Sequence, residues 1–140
     1  MTRFLIKFYP TLLLMGIIAF LSLASFSSVS DMPKLPHMDK LVHFCMYMAM
    51  SYVLLFDLSR THPLQKVRCR EMLIAFITAT LTGGLMELMQ GTLTASRSAD
   101  WWDMLANTCG ALSGVLLGLL TLPAILKLLY RKRYRRSGKC

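Results

Sequence analysis

Four apolar stretches, each about as long as a bilayer is thick, set the terms on which this chain can fold. They cover residues 8–29, 40–58, 71–91 and 103–122. A hydrocarbon core of ~30 Å takes about 20 helical residues to cross at 1.5 Å each. Only helices and closed barrels satisfy their own backbone groups at that depth. The pattern therefore predicts an all-α integral membrane bundle of four spans. An apolar share of 55% in 140 residues and a mean hydropathy of +0.51 belong to a small membrane bundle, not to a soluble domain.

The breaks between the spans are equally legible. Pro10 is expected near the start of the first helix, where a missing N–H does no harm. A cleaved signal peptide is the rival reading of this segment, with Ser22-Leu23-Ala24 as the small-residue site. The apolar run continues past that site, which favours a retained span. Pro33 and Pro36 break the chain in a loop over 30–40, and Asp39 is placed to cap the next helix. A second loop over 59–71 holds Arg60, Lys66, Arg68 and Arg70 around His62-Pro63, and a third over 92–100 holds Arg97. Pro123 should kink or end the fourth span. A membrane domain over 1–130 then gives way to a basic cytoplasmic tail over 131–140.

The formal charge of +9 is distributed by topology. Arg3, Lys7, the 59–71 loop and the C-terminal cluster carry most of it, whereas the other two loops hold only Lys34, Lys40 and Arg97. The excess of Lys and Arg on cytoplasmic loops predicts both termini inside and the 30–40 and 92–100 loops outside. No zinc-finger, RNA-binding or helix-turn-helix signature accompanies the charge, so nucleic acid is excluded as a partner. Membrane lipids are the expected neighbours of the tail. The cysteines Cys45, Cys69, Cys109 and Cys140 form no CxxC pair, which excludes a cysteine zinc site and a disulfide framework. The methionines at 46, 48 and 50 do not share a helix face and read as apolar filling.

Polar groups concentrate where the topology brings three helix ends to one depth. Residues 87–107 hold Glu87, Gln90, Arg97, Asp100, Asp103 and Asn107, three of the chain's seven acids among them. Asp39, Lys40, His43 and Tyr47 lie at the start of the second helix, with Asp39, His43 and Tyr47 on one face at a spacing of four. Thr80, Gly83, Glu87 and Gln90 share a stripe of the third. Asn107, Gly110, Gly114 and Gly118 form a small-residue seam on the fourth that permits close helix contact. Ionisable residues near lipid are costly and mark a site by default. A single outward-facing polar pocket is the expected result.

The order Asp39-Lys40-x-x-His43-x-x-x-Tyr47, Glu87-x-x-Gln90 and Arg97-x-x-Asp100-x-x-Asp103-x-x-x-Asn107-x-x-Gly110-x-x-x-Gly114 resembles the VanZ-like family over about residues 5 to 122. Ala95-Ser96 stand where the family often has Pro-Gly before the arginine. The resemblance implies a multi-pass protein of the bacterial cytoplasmic (inner) membrane, linked to the cell envelope. The family's namesake is an accessory protein that lowers teicoplanin susceptibility.

Several roles fit these residues. Asp39 with His43 reads as a proton-transfer pair or half a metal site, or else as a cap and an interhelical hydrogen bond. Glu87 and Arg97 read as an ion pair or as ligand contacts. Asp100, Asp103 and Asn107 read as ligands of a cation or a head group, or as caps and a helix bridge. The expected function is binding of a lipid head group or lipid-linked envelope precursor, with Lys40 and Arg97 meeting phosphate and the carboxylates and Asn107 meeting hydroxyls or amides. The alternatives are a membrane-embedded hydrolase or transferase, with His43 as general base, and a structural partner of another membrane protein. The sequence names no nucleophile, and it assigns no cofactor and no set of metal ligands.

Overall fold

The structure, a computed structural model, describes residues 2–23, 38–60, 67–93 and 100–136. Each expected span is a helix: α1 (Thr2–Leu23), α2 (Met38–Ser59), α3 (Cys69–Leu93) and α4 (Trp101–Arg136). All four are long and apolar enough to cross a membrane, and the described residues contain no strand. Residues 24–29, the end of the first expected span, lie outside the described residues.

Contacts along the helices fix their directions. His43, Phe44, Met48 and Leu55 of α2 meet Asn107, Gly110, Gly114 and Gly118 of α4 in that order, so these two helices run parallel. Helix α3 runs against α2: Glu71 near its start meets Ser59 at the end of α2, and Glu87 further along meets His43 near the start of α2. Thr11 of α1 meets Asp57 of α2, and Ser22 meets Gln90 of α3. The bundle is thus up-down-up-down, with α2 and α4 sharing the most extensive interface and α1 laid over α2 and α3.

The glycine seam explains that interface. A Cβ at Gly110 would overlap the carbonyl of Phe44, and one at Gly114 would overlap the carbonyl of Met48 and the hydroxyl of Ser51. Backbone meets backbone there because no side chain intervenes, the usual device for helix association in lipid. Two apolar clusters fill the interior. Ile18, Tyr47, Met50, Ala79 and Ala111 form the one nearer the polar end. Leu54, Leu55, Ala75, Val115, Leu122 and Leu126 form the other. Leu81, Leu85, Leu88, Leu116 and Leu120 face outward, as a lipid-facing surface requires.

Pro10 corrects the expected start of the first helix, and of the two readings of Pro123 the structure removes the end of the helix there. Helix α1 already begins at Thr2, so Pro10 lies inside it. A proline there removes the hydrogen bond to the carbonyl four residues back, that of Ile6. Arg60 Nη2 donates to that carbonyl at 3.3 Å. Beside it, the fully buried Asp57 accepts from the Thr11 hydroxyl at 2.7 Å and from the Thr11 N–H at 3.3 Å, and its other oxygen lies 3.5 Å from Arg60 Nε. The interrupted turn of α1 is thereby latched to the end of α2. At the other end of the chain, α4 does not stop at Pro123 but continues to Arg136. Its 36 residues span ~54 Å, well beyond a hydrocarbon core of ~30 Å. Transmembrane helices tolerate an interior proline, and the leucine-rich turns after it sustain the helix.

Gly114→Leu should destabilise the detergent-solubilised protein by about 3 kcal/mol or more, at or above the upper end of the overpacking range. Gly16→Ala, whose Cβ would meet nothing within 4 Å, should leave stability unchanged or raise it by up to about 1 kcal/mol, since alanine is the better helix former. Thermal unfolding followed by intrinsic fluorescence measures both. Equal stability of the two variants would remove the seam from the account of the fold.

Candidate functional site

The polar ends of α2, α3 and α4 meet at one end of the bundle. Asp100 starts α4 as its N-cap: the Asp103 and Met104 N–H groups reach its carbonyl, and its Oδ1 accepts from the Trp102 N–H at 2.9 Å. Its second oxygen faces α2, where Lys40 Nζ lies 2.7 Å from Asp100 Oδ2 and 2.8 Å from Asp103 Oδ1. One ammonium therefore bridges two carboxylates of the first turn of α4. It sits at the rim, half-buried, while Asp103 beneath it is buried. The Lys40 ammonium, and after it the Trp102 N–H, hold the Asp100 carboxyl below the usual carboxylate range.

One turn deeper lies a second, buried set. Asn107 places its Oδ1 3.1 Å from His43 Nδ1, and its Nδ2 donates to Glu87 Oε1 at 3.4 Å. That carboxylate oxygen is 3.6 Å from His43 Nδ1. Asn107 thus links α2 to α3 through one amide. With its NH2 turned to a carboxylate, its carbonyl is the group that faces the histidine, an arrangement that suits the tautomer with the proton on His43 Nδ1. His43, Glu87, Asp103 and Asn107 are each less than 10% exposed. Glu87 Oε2 and the fully buried Tyr47 hydroxyl have no hydrogen-bond partner among the described residues.

The expected residues divide as follows. Lys40, His43, Glu87, Asp100, Asp103 and Asn107 are brought together. Asp39 lies beside them on the exposed first turn of α2, inside the helix and not before it, where its charge still favours the helix dipole. A ring nitrogen of His43 and one carboxylate oxygen each from Asp39 and Asp103 lie within 4.8 Å of one another. Tyr47 sits a turn further in, among the apolar side chains. Gln90 faces α1, donating to the Ser22 carbonyl at 2.9 Å. Arg97, and with it the expected Glu87–Arg97 pair, lies outside the described residues. Lys40, expected against a phosphate, has its ammonium engaged by two aspartates, so a phosphate there would share it.

The buried Asp57 at the opposite end was not among the expected residues. A lone acid inside an apolar run, three positions before Arg60, is the signal that could have marked it. Cys45, Cys69 and Cys109 are exposed and unpaired in disulfides. Trp101 and Trp102 stand outward at the polar end, as an interfacial belt does.

A protein-family model described as VanZ/LLP1 matches residues 4–122. No curated protein and no solved structure matches the chain.

Because the Asp100 carboxyl is held low in the folded protein, the stability it adds is fully present above about pH 4 and falls away as pH drops through its folded value. The gap in melting temperature between wild type and Asp100→Asn should stay constant from neutral pH down to about pH 5 and close in stronger acid. A gap that widens on acidification would contradict the Lys40–Asp100 contact.

Proposed function

This chain belongs to the VanZ/LLP1 family, and from that premise we propose that it is an envelope protein of the bacterial inner membrane that binds the polar part of a lipid or lipid-linked precursor. The observation that carries this reading is the meeting of buried charged and polar groups from three helices at one end of a predominantly apolar bundle. A helix cap or a single ion pair needs fewer groups. The cluster opens at its rim, where Asp39, Lys40 and Asp100 are accessible to differing degrees. A lipid can leave its chains against the outward leucines and turn its head group into this rim.

The chemistry of the cluster favours a particular kind of head group. Asp39, Glu87, Asp100 and Asp103 supply acceptors, and Lys40 already bridges two of them. Hydroxyls, amides or amines of a sugar or peptide head group would donate to these oxygens. A linked phosphate would share Lys40, with Arg97 as a further contact. By the distribution of Lys and Arg, the pocket faces outward and both termini face the cytoplasm. Through such binding the protein would alter susceptibility to glycopeptides of the teicoplanin type.

Cysteine labelling with a membrane-impermeant maleimide tests the orientation. A probe at Ser98→Cys should react from outside intact cells and Cys69 should not; the reverse pattern inverts the topology. Native mass spectrometry of the solubilised protein tests the ligand, with phospholipids and an isoprenyl-diphosphate-linked sugar as probes. His43→Ala and Asp103→Ala should each weaken retention of one lipid class by at least about tenfold, equivalent to 1.4 kcal/mol, while Asp57→Asn at the opposite end should not. Equal retention by all variants would leave no role for the cluster in binding.

A further inference from the structure

Asp39 and His43 lie one turn apart on α2, and Asp103 faces them from α4. Their three donor atoms lie within 4.8 Å of one another. Donors around a tetrahedral cation at 2.0–2.1 Å are roughly 3.3 Å apart. Small torsions of the two carboxylates therefore suffice to close the set.

The surrounding contacts prepare these donors for a cation. The Asn107 carbonyl holds the proton on His43 Nδ1, which leaves the lone pair on Nε2. Lys40 occupies Asp103 Oδ1, which leaves Oδ2 as that carboxylate's second donor. Metal-binding histidines and carboxylates are oriented by outer partners in this way. Glu87, 96% buried, places one oxygen 3.6 Å from the Nδ1 edge of the His43 ring and adds negative charge beside the set. A buried carboxylate is stabilised by positive charge nearby.

The donor set also selects the ion. Two carboxylates and one imidazole suit zinc and its first-row neighbours, whereas calcium and magnesium take oxygen ligands almost alone. Three protein ligands leave a fourth position for water or for an oxygen of another molecule.

We propose that Asp39, His43 and Asp103 form a binding site for one divalent cation of the zinc class, with its remaining position available to an oxygen of the bound head group. Only that last contact rests on the lipid-binding reading; the ion binds whether or not the lipid does.

Isothermal titration of the chelator-treated, detergent-solubilised full chain with ZnCl2 tests the site. The expected result is one zinc per chain in wild type, at least about tenfold weaker binding (1.4 kcal/mol) in Asp39→Asn, and none in His43→Gln. Asp39 is exposed, so its variant should keep the fold, checked by an unchanged melting temperature without metal. Zinc should raise the melting temperature of wild type and not that of Asp39→Asn. Failure of wild type to bind zinc, or binding undiminished in both variants, overturns the proposal. Lipid retention on the same metal-free protein separates the two readings. Retained lipid with no zinc binding sinks the ion alone, and zinc binding with no lipid retained sinks the pocket alone.

Discussion

Backbone contact between α2 and α4 is the constraint on which the polar cluster depends. Gly110 and Gly114 let the carbonyls of Phe44 and Met48 sit where a side chain would otherwise be. At that separation the short side chains one turn above can touch. The His43–Asn107 hydrogen bond spans the same two helices at 3.1 Å, and Lys40 reaches Asp103 across them at 2.8 Å. In lipid there is little hydrophobic drive to bring two helices together, so packing and hydrogen bonds must do it. The seam and the cluster therefore support each other. The seam sets the distance, and the polar contacts fix the register.

The same contacts explain how so many ionisable groups are tolerated at the edge of an apolar bundle. Removing one partner of a buried charged pair costs about 3–5 kcal/mol, because the other charge stays uncompensated. Here the groups are held by hydrogen bonds in two layers: Lys40 with two aspartates at the rim, and His43, Asn107 and Glu87 beneath. The opposite end repeats the logic with different residues. Asp57 and Arg60 satisfy the turn of α1 that Pro10 interrupts. One end of the bundle thus uses its charges to hold a helix, and the other gathers more of them than holding requires. That difference is what makes the Asp39–Asp103 end the candidate site.

Much of this was legible in the sequence, and for physical reasons. Membrane-length apolar runs admit few alternatives to helices, and positions three or four apart share a face, so the Glu87 stripe and the glycine seam could be read directly. The convergence of His43, Glu87 and Asn107 followed from three helix ends at one depth. Partner identities were less legible. Nothing in the spacing says that Lys40 bridges Asp100 and Asp103 and is not left to meet a phosphate, or that Gln90 turns to the Ser22 carbonyl on α1. Such choices depend on helix rotation by a few tens of degrees, which sequence periodicity does not resolve. Pro10 misled for a related reason. In soluble helices a proline marks a boundary, but in this bundle an arginine just past the end of α2 replaces the bond lost at Pro10.

A double-mutant cycle between His43→Ala and Glu87→Gln, read as unfolding free energy in detergent, bears most directly on whether α2 and α3 share one polar interior with α4. Side chains in one hydrogen-bonded network show coupling energies of about 0.5–3 kcal/mol, whereas independent sites add to within about 0.3–0.5 kcal/mol. The arrangement around Asn107 predicts coupling inside the first range, abolished when Asn107 is replaced by leucine. Strict additivity in the wild-type background would mean that the histidine and the glutamate face separate environments, and the shared site would not exist.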